Sequence, residues 1–276
     1  MITANNFTIA TFNTCGVPSK SYDPLKRYPA ICQAFEQLAP DLINLQEVWL
    51  YNLLGILKKG LPSYPYVAYR FGPFGPLAGL VTFSRVPLRH PSFFTISSTA
   101  APEERGFFKR IRQAFIQRGV LASQIPERSL IVCNTHLMAN MDGKWSKENR
   151  YYPAHQDDMR QIAALVQQLT NQEQHLLISG DFNIPKHSDL YPLFVAHSLA
   201  IDVFGEDDTP TYRPENSGFR GKPHCLDYIF YRSTTLQAQS HTHILQEERP
   251  LANGEKSYLS DHIGLMAEFS LEGQHE

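Results

Sequence analysis

The sequence predicts an α/β fold in which two mixed β-sheets pack face to face and helices cover both outer sides, a four-layer sandwich. Two observations support this fold class. Strand-like apolar runs alternate with amphipathic helical stretches, and the alternation occurs in two comparable halves of the chain. In addition, polar residues suited to one site are spread from residue 13 to residue 262. This spread predicts a single catalytic domain over residues 1–276.

The first half of the chain begins with FTIATFN at 7–13, whose alternating and β-branched residues predict a strand. Pro24 to Leu38 has apolar residues at helical spacing and is followed by Pro40, which predicts a helix. A second helix is predicted from Trp49 to Lys59, because Gly60 follows it. The other segments of this half are the strand LINLQEV at 42–48, YPYVAYR at 64–70, a Gly- and Pro-rich stretch at 71–79 and the strand LVTFS at 80–84.

The second half of the chain opens with VLASQI at 120–125 and SLIVCNTH at 129–136, which predict a strand pair around a proline-containing turn. Pro153 is tolerated in the first turn of a helix, and apolar residues from Met159 to Leu169 follow at helical spacing. The remaining predictions are a strand at 175–180, a short helix from Asp189 to His197, and strands at 225–232 and 262–271.

The bulk composition restricts the function class. The net charge is -2 and the sequence pI about 6.6, so no global basic field favours nucleic-acid binding. The four cysteines are far apart and form no CxxC pair, which favours a reduced compartment. The N-terminus has no signal-peptide pattern and no apolar run is long enough for a membrane helix. We expect a monomer without a transmembrane segment, cytoplasmic unless a signal had been removed before the first residue.

Polar residues flank several predicted strands directly. Buried strands rarely end in such groups unless the groups converge on something charged. Oxygen ligands combined with two histidines indicate hard-metal chemistry on a phosphate. The residues are Asn13, Glu47, His136, Asp181, Asn183, Asp261 and His262.

A general base and its partner are candidates near the C-terminus. His262 has an ordinary pKa near neutrality, and Asp227 within the apolar run LDYIF would be costly to bury without a partner. Each residue alone also has an ordinary explanation. Glu47 could be a solvated helix-opening residue, GDFN at 180–183 an Asx turn, and Asp227 a core residue bonded to backbone donors.

Six short motifs in this order resemble the endonuclease/exonuclease/phosphatase superfamily of metal-dependent phosphodiesterases. Within it, DLINLQEVW, GLVTFSRVPL and HQDDMRQIAALVQQL look like the neutral sphingomyelinase-like branch. The resemblance implies the sandwich fold predicted above and the chemistry of phosphodiester hydrolysis. The motifs are FN at 12–13, LQEV at 45–48, NTHL at 134–137, GDFN at 180–183, LDYI at 226–229 and SDH at 260–262.

The resemblance also implies a role for each site residue. Glu47 would be the principal ligand of Mg²⁺, with Mn²⁺ as the alternative ion, Asn13 nearby, and Asp261 supporting the site or a second metal. His262 would take a proton from the attacking water, oriented by Asp227. Asp181 would orient the water or the leaving group. The phosphate oxygens would be held by His136, Asn183 and Asn13.

The branch resemblance implies a phospholipase C-type reaction on sphingomyelin or a related phospholipid. The alternatives are a nuclease or an inositol-phosphate or phosphoinositide phosphatase on the same core, and a non-catalytic binding module. The segment RGFFKRIRQAFIQR at 105–118 has five basic and no acidic residues, with Phe and Ile at helical spacing. This pattern suits a peripheral membrane contact. It equally suits an ordinary surface helix, and its charges could contact nucleic-acid phosphates.

Overall fold

The computed structural model describes residues 6–17, 22–97, 118–170, 175–218 and 221–271. Four α-helices lie in these ranges: α1 Pro24–Leu38, α2 Tyr51–Gly60, α3 Tyr152–Leu169 and α4 Leu190–Ser198. The strands in the same ranges are β1 Asn6–Asn13, β2 Leu42–Gln46, β3 Tyr66–Ala68, β4 Val81–Ser84, β5 Arg89–Ile96, β6 Arg118–Ile125, β7 Leu130–His136, β8 His175–Asp181, β9 Ile201–Asp202, β10 Asp227–Arg232, β11 Leu236–Ile244, β12 Arg249–Pro250, β13 Lys256–Ser257 and β14 Gly264–Leu271.

Twelve of these strands form two six-stranded mixed sheets, in the orders β11-β14-β1-β2-β4-β3 and β5-β6-β7-β8-β10-β9. Each sheet has one parallel pair at its centre, β1 with β2 and β7 with β8, and its other neighbours are antiparallel. The two sheets therefore repeat the same arrangement, although β11 and β14 of the first sheet come from the C-terminal part of the chain. Strands β12 and β13 form a separate two-stranded ribbon.

The predicted four-layer sandwich is confirmed by three apolar clusters. The middle cluster joins the inner faces of the two sheets and includes Ile9, Leu42, Val132 and Leu177. A second cluster packs α1 and α2 on the outer face of the first sheet. A third packs α3 and α4 on the outer face of the second sheet. The central strands are buried by apolar residues on both faces, which explains why their sequences are nearly continuous hydrophobic runs.

Helix α1 begins and ends where its sequence signals predicted. Asp23 accepts a hydrogen bond from the backbone N–H of Leu25 at 2.9 Å, Pro24 occupies the first turn, and Ala39 ends the helix in a left-handed conformation. Helix α2 starts at Tyr51 and not at Trp49 as predicted. The backbone N–H of Trp49 instead donates to the carbonyl of Glu47 at 3.0 Å, in a tight turn beside the polar strand ends.

Two long strands were not predicted. Strand β5 contains Pro91 within a register shift, and β11 is mostly polar; each lies at the edge of its sheet. An edge strand has a solvated side and tolerates proline at bulges, so it lacks the apolar run that reveals a central strand.

The basic segment 105–118 lies outside the described residues except for its last member. Arg118 begins strand β6 opposite Ile96, so assigning this residue to a basic helix was wrong. Its guanidinium pairs with the buried carboxylate of Asp158 on α3, which ties the strand to the covering helix. Within the described residues, no helix combines the length and apolar character needed to cross a membrane.

Candidate active site

The two parallel strand pairs bring four of the predicted residues to one edge of the sandwich. Asn13 ends β1 beside the end of β2, and Glu47 follows β2 directly. In the other sheet, His136 and Asp181 end β7 and β8 in register with each other. Neighbouring parallel strands end at the same edge, and the face-to-face packing of the sheets places the two edges together.

The side chain of Asn13 joins the two sheets at this edge. Its Nδ2 atom donates to Oδ2 of Asp181 at 2.9 Å and to Oε1 of Glu47 at 3.3 Å. Its Oδ1 atom accepts from the backbone N–H of Cys15 at 3.0 Å. Asn13 is fully buried, so these bonds hold the two carboxylates in a fixed relation.

His136 lies between the same two carboxylates. Its Nε2 atom is 3.6 Å from Oδ2 of Asp181 and 3.9 Å from Oε1 of Glu47. Burial lowers the pKa of His136 below its ordinary value, although the charge of Asp181 acts in the opposite direction. The histidine is therefore neutral near pH 7 and offers one ring N–H as a donor.

The strongest ion-pair geometry in the site joins His262 to Asp227. Nδ1 of His262 lies 2.8 Å from Oδ2 of Asp227, and its Nε2 lies 3.8 Å from Oδ2 of Asp181. Burial lowers the pKa of His262, but Asp227, with Asp181 and Asp261, outweighs it and raises the pKa well above its ordinary value. Asp227 lies opposite Asp181 in the β8–β10 register, which explains their closeness.

Negative charge is crowded in this pocket. Burial raises the pKa of Glu47, and nearby Asp261 raises it further. Burial also raises the pKa of Asp181 to about 6, with a further contribution from Asp227. Oδ1 of Asp227 is buried and has no hydrogen-bond partner among the described residues. A pocket of repelling carboxylates with a free buried oxygen fits a divalent cation.

Among the described residues, one group of three side chains is close enough to hold such an ion together. Ligand atoms of Asp181, Asp227 and His262 all lie within 4.8 Å of one another. The family resemblance implied a different set, with the metal on Glu47, Asn13 and Asp261. The two sets are adjacent, because Asn13 bonds to a carboxylate of each.

The remaining predicted residues border the pocket. Asn183 follows β8 in a left-handed conformation, with φ of 54°, and its Nδ2 donates to the carbonyl of Leu137 at 3.0 Å. Its backbone N–H donates to Oδ1 of Asp181 at 2.9 Å. Asp261 accepts from the hydroxyl of Ser260 at 3.2 Å and is buried, with an exposed fraction of 7%.

A comparison with known protein families agrees with this geometry. A model described as the Endonuclease/Exonuclease/phosphatase family matches residues 10–262, which is most of the chain and includes every site residue above. The chain belongs to the endonuclease/exonuclease/phosphatase family. The sequence resemblance stated above is thereby confirmed at the level of the family.

Individual relatives of the family were found by sequence and by structure. A Drosophila melanogaster protein named "Putative neutral sphingomyelinase" is 28% identical over 283 residues, covering 95% of this chain. The chain spans 60% of that relative's length. Sphingomyelinase C from Streptomyces griseocarneus superposes with a TM-score of 0.68 at 16% identity, covering 95% of this chain and 99% of the other. D. rerio TDP2 complexed with single strand DNA product superposes with a TM-score of 0.65 at 18% identity, covering 96% and 99%. The two structures show a shared fold.

Both tryptophans of the chain lie at this family site, which the sequence interpretation did not assign to them. The indole N–H of Trp49 donates to Oε2 of Glu47 at 3.4 Å, and that of Trp145 donates to the carbonyl of Asn183 at 2.9 Å. The spacing of Trp49 two residues after Glu47 was a usable signal. Trp145 follows NTHL within a polar loop, so its contact with a residue 38 positions later was not visible.

Close backbone approach fixes the position of Glu47. The residue has φ of 62°, in the left-handed region, and its carbonyl faces Gly16. A Cβ atom at Gly16 would lie 1.9 Å from that carbonyl oxygen, so only glycine fits beside it. A strained residue held by its neighbours is a common feature of functional sites.

Proposed function

We propose that this protein is a Mg²⁺-dependent phosphodiesterase that hydrolyses sphingomyelin or a related phospholipid in a phospholipase C-type reaction. The observation that carries the proposal is the His262–Asp227 pair at 2.8 Å, in one pocket with Asp181 and Glu47. A histidine whose second nitrogen is held by a carboxylate is suited to take a proton from water.

In this mechanism Nε2 of His262 accepts a proton from the attacking water. Asp227 holds the ring through Nδ1 and stabilises the imidazolium that forms. Asp181 lies 3.8 Å from the same Nε2, so it can orient the water or the leaving group. The raised pKa of His262 favours its protonated form, so the histidine acts as a base only after it has lost that proton.

The phosphate would be bound by donors that lie beside Asp181. His136 is neutral and lies beside Asp181, in reach of a non-bridging oxygen. Asn183 uses its Nδ2 on a backbone carbonyl and keeps a second amide hydrogen for the phosphate. Asn13 places Nδ2 against Glu47 and Asp181, which supports a role in orienting these carboxylates.

Glu47, with Asn13 and Asp261 nearby, would hold the cation. When bound, Mg²⁺ would neutralise phosphate charge and polarise the phosphorus for attack. The crowded carboxylates and the elevated pKa of Glu47 support a cation in this pocket. The alternative set of ligands, Asp181, Asp227 and His262, would require His262 to ligate the ion in addition to its bond with Asp227.

Two observations support a lipid substrate. The first is the similarity to the Drosophila protein over nearly the whole chain. The second is that Phe71 and Phe74 are 73% and 65% exposed on a loop bonded to the site. Val48 donates to the carbonyl of Gly79 at 2.9 Å, and the Tyr51 hydroxyl to that of Gly72 at 2.8 Å. Membrane contact through the rest of the basic segment, residues 105–117, would add to these aromatic residues. One copy of the chain holds every group used here, which supports a monomeric enzyme.

A substrate panel tests the proposal. We expect phosphocholine release from sphingomyelin vesicles with Mg²⁺ and none with chelator. DNA nicking without lipid turnover would show that the substrate is a nucleic acid and not a lipid. Phosphate release from inositol phosphates would indicate a phosphatase. His262→Ala should nearly abolish turnover and leave the fold intact, whereas the exposed His197→Ala should behave as wild type. Full activity of His262→Ala would contradict the assigned base.

A further inference from the structure

Arg27 on helix α1 is a buried cation that the mechanism above does not use. It is 1% exposed, and its Cζ atom lies 3.9 Å from the centre of the Tyr22 ring. Its hydrogen bonds among the described residues all go to main-chain carbonyls and none to a carboxylate. Burying an arginine without an anionic partner is costly. We therefore expect its hydrogen bonds to make a specific contribution to the arrangement of the segments that they bind.

The three acceptors of Arg27 lie on two segments that are far apart in sequence. Nη1 donates to the carbonyl of Thr14 at 2.9 Å, and Nη2 donates to that of Cys15 at 2.6 Å. Nη1 also donates to the carbonyl of Leu259. The first segment follows Asn13 directly, and the second directly precedes Ser260, Asp261 and His262. One guanidinium therefore joins the carboxyl end of β1 to the segment that contains the base.

Other contacts make this connection stiff. Tyr28, the next residue of α1, bonds the hydroxyl of Thr14 at 2.7 Å. Cys15 has φ of 47°, a conformation that needs support from its surroundings. The planar guanidinium presents several N–H groups in fixed directions, whereas a lysine would reach the same carbonyls with a single ammonium.

We propose that Arg27 is a positioning residue that sets the placement of Asn13 and its two carboxylates relative to His262. This rests on the proposed function, since it assigns the two segments to one reaction. Arg27 touches neither the phosphate nor the water. Loss of Arg27 would change the alignment of the groups that contact the phosphate and the water. Displacement of catalytic groups by about 1 Å can reduce the rate about 10²-fold.

The test compares Arg27→Met and Arg27→Lys with Lys26→Met, which removes an adjacent charge whose side chain is 51% exposed. Amide hydrogen exchange is measured by mass spectrometry on peptides covering 13–17 and 258–264, with a peptide from α3 as reference. In wild type the N–H groups of Thr14, Cys15 and His262 are hydrogen-bonded. Turnover of bis(p-nitrophenyl) phosphate with Mg²⁺ is measured in parallel.

We expect Arg27→Met to speed exchange in the two joined segments while α3 exchanges as in wild type. Its kcat should fall by roughly 10- to 100-fold with KM changed much less. Arg27→Lys should be intermediate, and Lys26→Met unchanged. If Arg27→Met does not fold, the inference is tested by measuring hydrogen exchange in the same two segments of Arg27→Lys.

Two results would overturn the inference. The first is exchange that rises equally throughout the chain with normal kcat per folded molecule, which would make Arg27 a general stabilising residue. The second is unchanged exchange in both segments. If the wild type shows no phosphodiester turnover, the proposed function fails, and the exchange pattern still decides whether Arg27 joins the two segments.

Discussion

Nδ1 of His262 lies 2.8 Å from Oδ2 of Asp227, although 35 residues separate them in the chain. Asp227 opens β10 beside Asp181, and His262 lies two residues before the start of β14 in the other sheet. The contact therefore crosses between the two sheets. It converts an ordinary imidazole into one whose pKa is held well above its usual value.

Asp227→Asn should reduce kcat by at least about 10²-fold, because the amide no longer stabilises the imidazolium. A base must be neutral to accept a proton, so activity should rise with pH through the pKa of His262. Losing the Asp227 charge lowers that pKa, and the acidic limb of the kcat/KM–pH profile should move to lower pH. Asp142→Asn, at an exposed aspartate paired with Arg150, serves as the matched variant. An acidic limb that stays in place would exclude His262 as the base.

Glu47→Gln should weaken cation binding without weakening the fold. In chelator its unfolding midpoint should equal or exceed that of wild type, because repulsion from Asp261 is relieved. Wild type should be stabilised by added Mg²⁺, by about 2.7 kcal/mol at a hundredfold excess over Kd, and the variant much less. Thermal unfolding with and without Mg²⁺ measures both effects.

The same Mg²⁺ titration separates the two candidate ligand sets. Asp227→Asn should retain most of the Mg²⁺-dependent stabilisation if Glu47 holds the ion. Loss of that stabilisation in Asp227→Asn, with retention in Glu47→Gln, would place the ion at Asp181, Asp227 and His262 instead.

Gly16→Ala should lower activity and stability more than the small size of the added methyl group suggests. The new methyl group would lie 1.9 Å from the carbonyl oxygen of Glu47 and 2.6 Å from the Tyr28 hydroxyl, so Glu47 must move. We expect a large loss of kcat together with a lower unfolding midpoint. Gly55→Ala in α2 meets no atom within 4 Å and should stabilise the protein by about 0.5–1 kcal/mol. Equal activity in both variants would contradict the close fit at Gly16.

His155→Leu should stabilise the protein against acid. His155 is fully buried on α3, and neither ring nitrogen has a hydrogen-bond partner among the described residues. Burial, with the charge of Arg118, lowers its pKa from 6.5 to about 4. The unfolded chain therefore takes up a proton first, and stability is lost as pH falls from 6.5 towards 4. At pH 5 this proton uptake lowers the free energy of unfolding by about 2 kcal/mol, and at pH 8 it has no effect.

Chemical denaturation of wild type and His155→Leu at pH 5 and pH 8 measures this difference. The gain of the leucine variant should be larger at pH 5. A gain independent of pH would show that only the packing of the side chain had changed.

Prediction from the sequence succeeded where the signal is local. The central strands are apolar on both faces, and the helices α1 and α3 have apolar stripes. The spacing of their apolar residues, and the proline and glycine residues at their ends, could therefore be recognised in the sequence. The polar residues that follow central strands could be identified for the same reason. Edge strands β5 and β11 were missed because half of their surface faces water.

The sequence by itself determined the layers of this protein and the residue types at its strand ends, since both depend on neighbours along the chain. Only the tertiary structure decided which of those residues touch. The bond of Asn13 to Asp181, the contact of His262 with Asp227 and the three carbonyls bound by Arg27 all join segments brought together by strand order and sheet packing. Such contacts leave no periodic trace, because each depends on where two distant backbones end and not on their local pattern.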